Sequence, residues 1–258
     1  MTDTSRDPRL VDAEVTRFLA EAEKFKAETA LINIDKTIKE AEAKQKAAHA
    51  RSAEYGAESM RVQTEATLRQ EKLALAANHH HHEYHFTVGV YDEGVEQCLA
   101  QLAIWHRHDR DCPMNLIIDS PGGSVIDGMH LFDQIMAYSK RPWDTTDRPR
   151  GTHATTITVR GYAASMAGIL LQAADERVIG PESYIMIHEV SSFAGGKIGE
   201  IKDEIKFLEK MSERVANIFV TRSNGKIDKE TFQRNWNRQD WWLDSEAALE
   251  CGFVDRIG

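Results

Sequence analysis

The sequence predicts an α/β domain with mostly parallel strand pairing behind a long α-helical arm. Two observations predict it. Residues 11–78 are dominated by Ala, Glu, Lys, Gln and Arg, with Gly56 as the only glycine and no proline. These are strong helix formers. From Tyr84 onward, short alternating or β-branched runs alternate with helical repeats, which is the signature of strands joined by crossover helices. The expected division is an arm over residues 1–83 and a domain over 84–258.

Within the arm, Val11, Val15, Phe18, Ala22, Phe25, Thr29 and Ile32 step by fours and threes. That spacing is a heptad seam. Past Ile38 the seam thins to alanines. A helix of this type needs a partner helix, a symmetry mate or the body of the protein to bury its stripe. A spacer, a removable leader and an oligomerisation or docking arm all remain open. The following run, NHHHHEYH over 78–85, offers four consecutive histidines. No carboxylate or thiol is placed to complete a defined metal site, so the run reads as a junction and no metal is expected.

The domain elements follow in order. YHFTVGV (84–90) alternates as a strand. Glu93–His108 carries Val95, Leu99, Leu102 and Trp105 at helical spacing. MNLIID (114–119) is a compact apolar strand, and Val125–Tyr138 is helical. ATTITV (154–159) is a β-branched strand, Ala164–Ala174 an apolar helix, and YIMIH (184–188) a strand. Lys197–Ser223 is a long amphipathic helix.

Composition excludes several classes. The chain has 258 residues, 41% of them hydrophobic, and a net charge of -9. About -1 of that charge lies in residues 1–78 and -8 in the remainder. An acidic chain is a poor general nucleic-acid binder. No run of about 18 apolar residues suggests a membrane span, and the first residues lack the apolar core of a secretory signal. Cys98, Cys112 and Cys251 are odd in number and widely spaced. They form neither a disulfide framework nor a metal site, which leads to the expectation of a reducing, cytoplasmic location.

Three segments carry chemistry. DSPGGSV (119–125) joins a strand to a helix, and its two glycines allow close backbone approach to a ligand. Alone, it reads as a tight turn before it reads as a ligand loop; no GK[ST] follows, so a phosphate loop is a poor fit. GYAASMAG (161–168) sets Ser165 among small residues at a strand-to-helix transition. There the helix dipole and free N–H groups favour a nucleophile whose substrate develops an oxyanion. An N-cap serine is the alternative, and the motif is not G-x-S-x-G. YIMIHE (184–189) ends an apolar strand on His188, a general base if it lies near Ser165.

Taken together, SPGGSV (120–125), GYAASM (161–166), IMIH (185–188), AGGKIGE (194–200), the long helix and DWWLDSEAALECGFVD (240–255) resemble the Clp protease proteolytic subunit (ClpP) family. The resemblance covers residues 85–258. It implies a ClpP/crotonase-like spiral fold and a serine endopeptidase acting through an acyl-enzyme. Ser165 is then the nucleophile, His188 the general base and acid, and Asp240 the third triad member. The N–H groups of Gly123 and Met166 match the oxyanion hole. Gly122, Ser124, Gly195 and Gly196 fall where the family holds substrate. The implied partners are a peptide or protein substrate and further copies in a ring or double ring. No cofactor is implied, and any ATP would belong to an AAA+ unfoldase partner, because no Walker motif is present.

The chain departs from the pattern in its arm, in the long polar stretch Lys140–His153, expected as a surface loop, and at Glu189-Val190. These departures suggest a phage- or prophage-type member, with capsid or scaffold proteins as partners and a host-cytoplasmic or virion-associated location. Three other readings stay open. A crotonase-like acyl-CoA enzyme shares the general fold. A Ser–Lys dyad would use Lys197. An inactive scaffold subunit would need none of this chemistry.

Overall fold

The structure, a computed structural model, describes residues 8–191 and 195–258. The chain falls into two compact units, Met1–Leu73 and Ala74–Gly258. The first is built from a single helix, α1 (Pro8–Leu75), 68 residues long. At 1.5 Å per residue it measures about 100 Å. Ion pairs one turn apart support it, with Arg17 to Glu21 at 3.1 Å and Lys39 to Asp35 at 2.6 Å. Such exposed pairs add only a few tenths of a kcal/mol each, about 0.2–0.5. Phe18, Phe25 and Ile32 of the expected seam are exposed; the Val11 side chain lies outside the described residues.

In the second unit a short 3₁₀ turn (Asn78–His81) leads into β1 (Glu83–Phe86). Then come α2 (Asp92–His108), β2 (Met114–Ser120), α3 (Val125–Tyr138) and β3 (Thr155–Ala164). They are followed by α4 (Met166–Leu171), β4 (Glu176–Ile179), β5 (Tyr184–Ile187) and α5 (Ile198–Arg222). The unit closes with α6 (Lys229–Trp236), β6 (Trp241–Leu243), α7 (Ser245–Glu250) and β7 (Arg256–Ile257). The strands run β1-β2-β3-β4-β7, all parallel, and β5 branches from β3 to pair antiparallel with β6. This is the α/β architecture of parallel βαβ units that the sequence predicts.

The strands bury apolar faces on the helices. In β2, Met114, Leu116 and Ile118 are buried in strict alternation, and Leu102, Leu131, Phe219 and Phe232 meet them or their neighbours in one core. Side chains of this size each contribute about 1.5–3 kcal/mol on burial. Helix starts are capped as local chemistry requires. Ser124, Asp228 and Asp244 each accept a hydrogen bond from the third residue on, capping α3, α6 and α7.

Several expected elements differ. The strand over 84–90 ends at Phe86, and Val90 instead forms an isolated parallel bridge with Gly123. The strand over 154–159 continues to Ala164, shortening the next helix to Met166–Leu171. Gly161, at φ +89°, gives the reason. On one side of it β3 pairs with β4, through Thr156–Val159; on the other it pairs with β5, through Tyr162–Ala164. A left-handed residue is where a strand can change partners. The stretch Lys140–His153 is not simply a surface loop. Arg141 and Asp144 are buried as an ion pair at 3.1 Å, His153 is fully buried, and the Arg222 guanidinium stacks 3.9 Å from the Trp143 ring centre. Among the described residues, no helix is long and apolar enough to cross a membrane, and no group of three His, Cys, Asp or Glu side chains is placed to hold a metal.

Candidate active site

The site forms where three strand ends meet. Strand β3 runs directly into α4, and the joint is Ser165, at φ +54° and ψ -123°. That conformation is sparsely populated for a residue with a Cβ, and such strain persists only where the surroundings enforce it. Two features enforce it here. The Ser165 N–H donates to the Met186 carbonyl at 2.8 Å, extending the β3–β5 register. Gly122 presses on the joint from the other side: a Cβ there would lie 2.4 Å from the Ala164 carbonyl oxygen and 2.8 Å from the Ser165 Cβ. The serine is thus pushed out at the end of the sheet, at the start of a helix.

His188 follows the last residue of β5. Its Nε2 lies 2.7 Å from the Ser165 Oγ. With the ring hydrogen on Nδ1, Nε2 accepts the hydroxyl proton. Asp240 precedes β6, whose antiparallel register pairs Ile187 with Trp241. Continued by one residue, that register sets His188 opposite Asp240. The Asp240 carboxylate stands 4.0 Å from His188 Nδ1 and is 63% exposed. This separation is an ion-pair distance, beyond hydrogen-bond range.

The glycine turn supplies the facing wall. Val90 donates its N–H to the Gly122 carbonyl and accepts from the Ser124 N–H, both at 2.8 Å. The bridge therefore uses the residues on either side of Gly123 and leaves the Gly123 N–H free of it. Met166, the first residue of α4, has no acceptor for its N–H within the helix. Gly123, Ser165, Met166 and His188 line one recess of about 40 Å³, together with Val125, Ile169 and Ile187. The sequence-expected nucleophile, base and two N–H donors thus converge.

The other expected residues are placed differently. The Ser124 hydroxyl caps α3 by accepting from the Asp127 N–H, and its own N–H goes to Val90. Gly122 is buried behind the joint. Gly195 and Gly196 are exposed and do not line the recess; Ala194, in the same expected segment, lies outside the described residues. Lys197 precedes α5, where its N–H donates to Glu200, and it does not line the recess either. The partner at hydrogen-bond distance from Ser165 is His188. Burial pushes the Cys98, Cys112 and Cys251 thiols up, which keeps them from serving as thiolates.

Sequence reasoning missed two supports. Ser120 donates to the Val88 carbonyl at 2.6 Å and accepts from the Gly122 N–H at 3.3 Å, bracing the turn. Glu189 accepts from the Arg238 N–H. Each sits inside a motif, but only the tertiary register shows what it holds.

The Clp protease family model matches residues 80–258. The chain is 32% identical over 173 residues to the ATP-dependent Clp protease proteolytic subunit 1 of Streptomyces avermitilis, across 65% of this chain and 71% of that protein. It is 30% identical over 168 residues to the corresponding subunit of Pleurastrum terricola, across 64% of this chain and 78% of that one. It is 28% identical over 168 residues to proteolytic subunit 2 of Tropheryma whipplei, across 64% and 84%.

Proposed function

From the premise that this chain belongs to the Clp protease family, and is a serine peptidase, we propose that it hydrolyses peptide bonds through Ser165, His188 and Asp240. The observation that carries this reading is the 2.7 Å contact between Ser165 Oγ and His188 Nε2, made by a serine held in a strained turn.

In this mechanism the Ser165 Oγ attacks the scissile carbonyl carbon as its proton passes to His188 Nε2. The carbonyl oxygen becomes an oxyanion and takes hydrogen bonds from the Gly123 and Met166 N–H groups. Loss of one such donor typically costs about 10²–10³ in turnover. Collapse of the tetrahedral species breaks the C–N bond, and the departing amine takes the proton from His188. Water then gives a proton to His188 and attacks the acyl carbon; collapse of this second tetrahedral species breaks the bond to Ser165 Oγ, which takes the proton back from His188 as the acid product leaves. Asp240 orients the imidazole and stabilises its charged form. Its 4.0 Å separation closes as the imidazolium develops, since catalytic contacts are often long before substrate binds.

The relatives are named as subunits of an ATP-dependent protease. On that basis we assign this chain to a homo-oligomeric ring in the cytoplasm, served by an AAA+ unfoldase. The charged arm outside the matched residues would suit attachment to capsid or scaffold proteins in a phage setting.

The test treats wild type and Ser165→Ala with a fluorophosphonate probe and reads intact mass. Labelling of wild type alone is expected. Labelling of neither protein in a folded sample, or of both equally, overturns the assignment.

A further inference from the structure

The helix α1 lies wholly before the residues that match the family, and it takes no part in the catalytic steps. It is one continuous helix, so its heptad positions are fixed by geometry. Taking Val15 as position a, the seam runs Val15, Phe18, Ala22, Phe25, Thr29 and Ile32. The aromatic and branched members stand in solvent: Phe18 is 68%, Phe25 71% and Ile32 69% exposed. A repeat of 3.5 residues keeps one stripe facing a second helix that supercoils around the first.

The charges beside the seam identify the partner and its direction. The g positions, Glu14, Glu21 and Glu28, are all acidic; the e positions, Leu19, Lys26 and Asn33, carry no acid. In an antiparallel pair of identical helices, g faces g, which would set glutamates against glutamates. In a parallel pair, each g faces the next e of the other chain. Glu14 then meets Leu19, Glu21 meets Lys26 and Glu28 meets Asn33, with no acid opposite an acid. Glu21 also pairs with Arg17 of its own helix, through Oε1, leaving Oε2 for the second chain. Lys36 and Lys39 occupy the next two seam positions, so the apolar contact ends after Ile32.

We propose that α1 pairs with the α1 of a second copy of this chain, parallel and in register, through the seam Val15–Ile32. The seam is independent of the catalytic reading and holds whether or not Ser165 is a nucleophile.

The test uses the full chain with single cysteines introduced at Phe18→Cys, Phe25→Cys, Ile32→Cys and Ala27→Cys, the last on the opposite face of the helix. Wild type sets the background from the native thiols. Under mild oxidation, a parallel in-register pair brings each seam cysteine beside its own counterpart. All three seam variants should then form covalent dimers at least about tenfold faster than Ala27→Cys. Circular dichroism of each variant confirms that the helix is retained. Equal rates for seam and opposite-face cysteines, with helix content intact, overturn the proposal. So does rapid linking at only one seam position, because an antiparallel pair apposes like positions only near its midpoint. Absence of any seam link overturns it as well and points to a seam covered by another surface.

Discussion

The Glu189 carboxylate accepts a hydrogen bond from the Arg238 N–H at 2.9 Å. Glu189 directly follows His188, and Arg238 lies two residues before Asp240. Arg238 is left-handed, at φ +57°, a conformation that costs a non-glycine residue about 1–2 kcal/mol. The bond therefore ties the segment that carries the imidazole to a strained turn that carries the facing carboxylate. It continues the cross-strand pairing of β5 and β6 beyond its last registered pair, Ile187 with Trp241.

Removing that tie should loosen Asp240 without emptying the site. Glu189→Ala is expected to lower kcat on a fluorogenic peptide by about tenfold, the loss of one charge-assisted hydrogen bond. Glu189→Gln keeps an oxygen that can accept from the Arg238 N–H, and it should retain most of the activity. Equal losses in the two variants would show that the charge matters, not the backbone tie.

Asp240→Asn should leave the fold intact, since the side chain is largely exposed, and should lower kcat by about 10²–10⁴. The lower end reflects the 4.0 Å separation from His188, which makes the carboxylate a weaker orienting partner than a hydrogen-bonded one. Steady-state kinetics on the same peptide, with fluorophosphonate labelling rates alongside, measure this. Wild-type turnover in Asp240→Asn would mean that another group orients the imidazole.

The α/β class was legible because its main strands and helices are apolar runs of distinct period. The convergence of Ser165, His188, Gly123 and Met166 was expected from the family resemblance, because each segment alone reads also as a turn, a cap or a strand end. Strands β6 and β7 were not legible: at three and two residues they are too short for alternation to show. The extension of β3 to Ala164 was hidden for a related reason. Gly161 reads as a break in the pattern, whereas the structure uses it to pass from one neighbour strand to another. Lys140–His153 is polar in sequence, yet Arg141, Asp144 and His153 are buried through partners distant in the chain or satisfied within the loop. Composition does not reveal such pairing.

Gly122→Ala should disable the site by displacing the Ser165 joint. The added Cβ would meet the Ala164 carbonyl oxygen at 2.4 Å and the Ser165 Cβ at 2.8 Å, on a backbone at φ +87°. Backbone on both sides leaves little room to yield. The expected stability loss is about 1–3 kcal/mol, read by urea unfolding. Fluorophosphonate labelling should fall by at least about 10², because an oxyanion donor and the nucleophile shift together. Normal labelling in a folded variant would show that the joint tolerates displacement.

The fold should weaken in acid through Asp255. Burial alone would raise its carboxyl, but the hydrogen bonds and charge of Arg177 outweigh burial and hold it below the usual carboxylate range. Arg177 is fully buried, and its guanidinium reaches Asp255 at 2.6 Å. A carboxyl depressed in the folded state stabilises the fold fully above its unfolded value, about 3.9. That contribution is lost as pH falls through the lower folded value. Asp255→Asn removes it at every pH and leaves the buried Arg177 without its carboxylate, so the variant should melt lower at neutral pH. The Tm gap between wild type and Asp255→Asn should narrow steadily below about pH 4. A gap that stays constant from neutral pH to pH 3 would show that protonation of Asp255 is not what weakens the fold in acid.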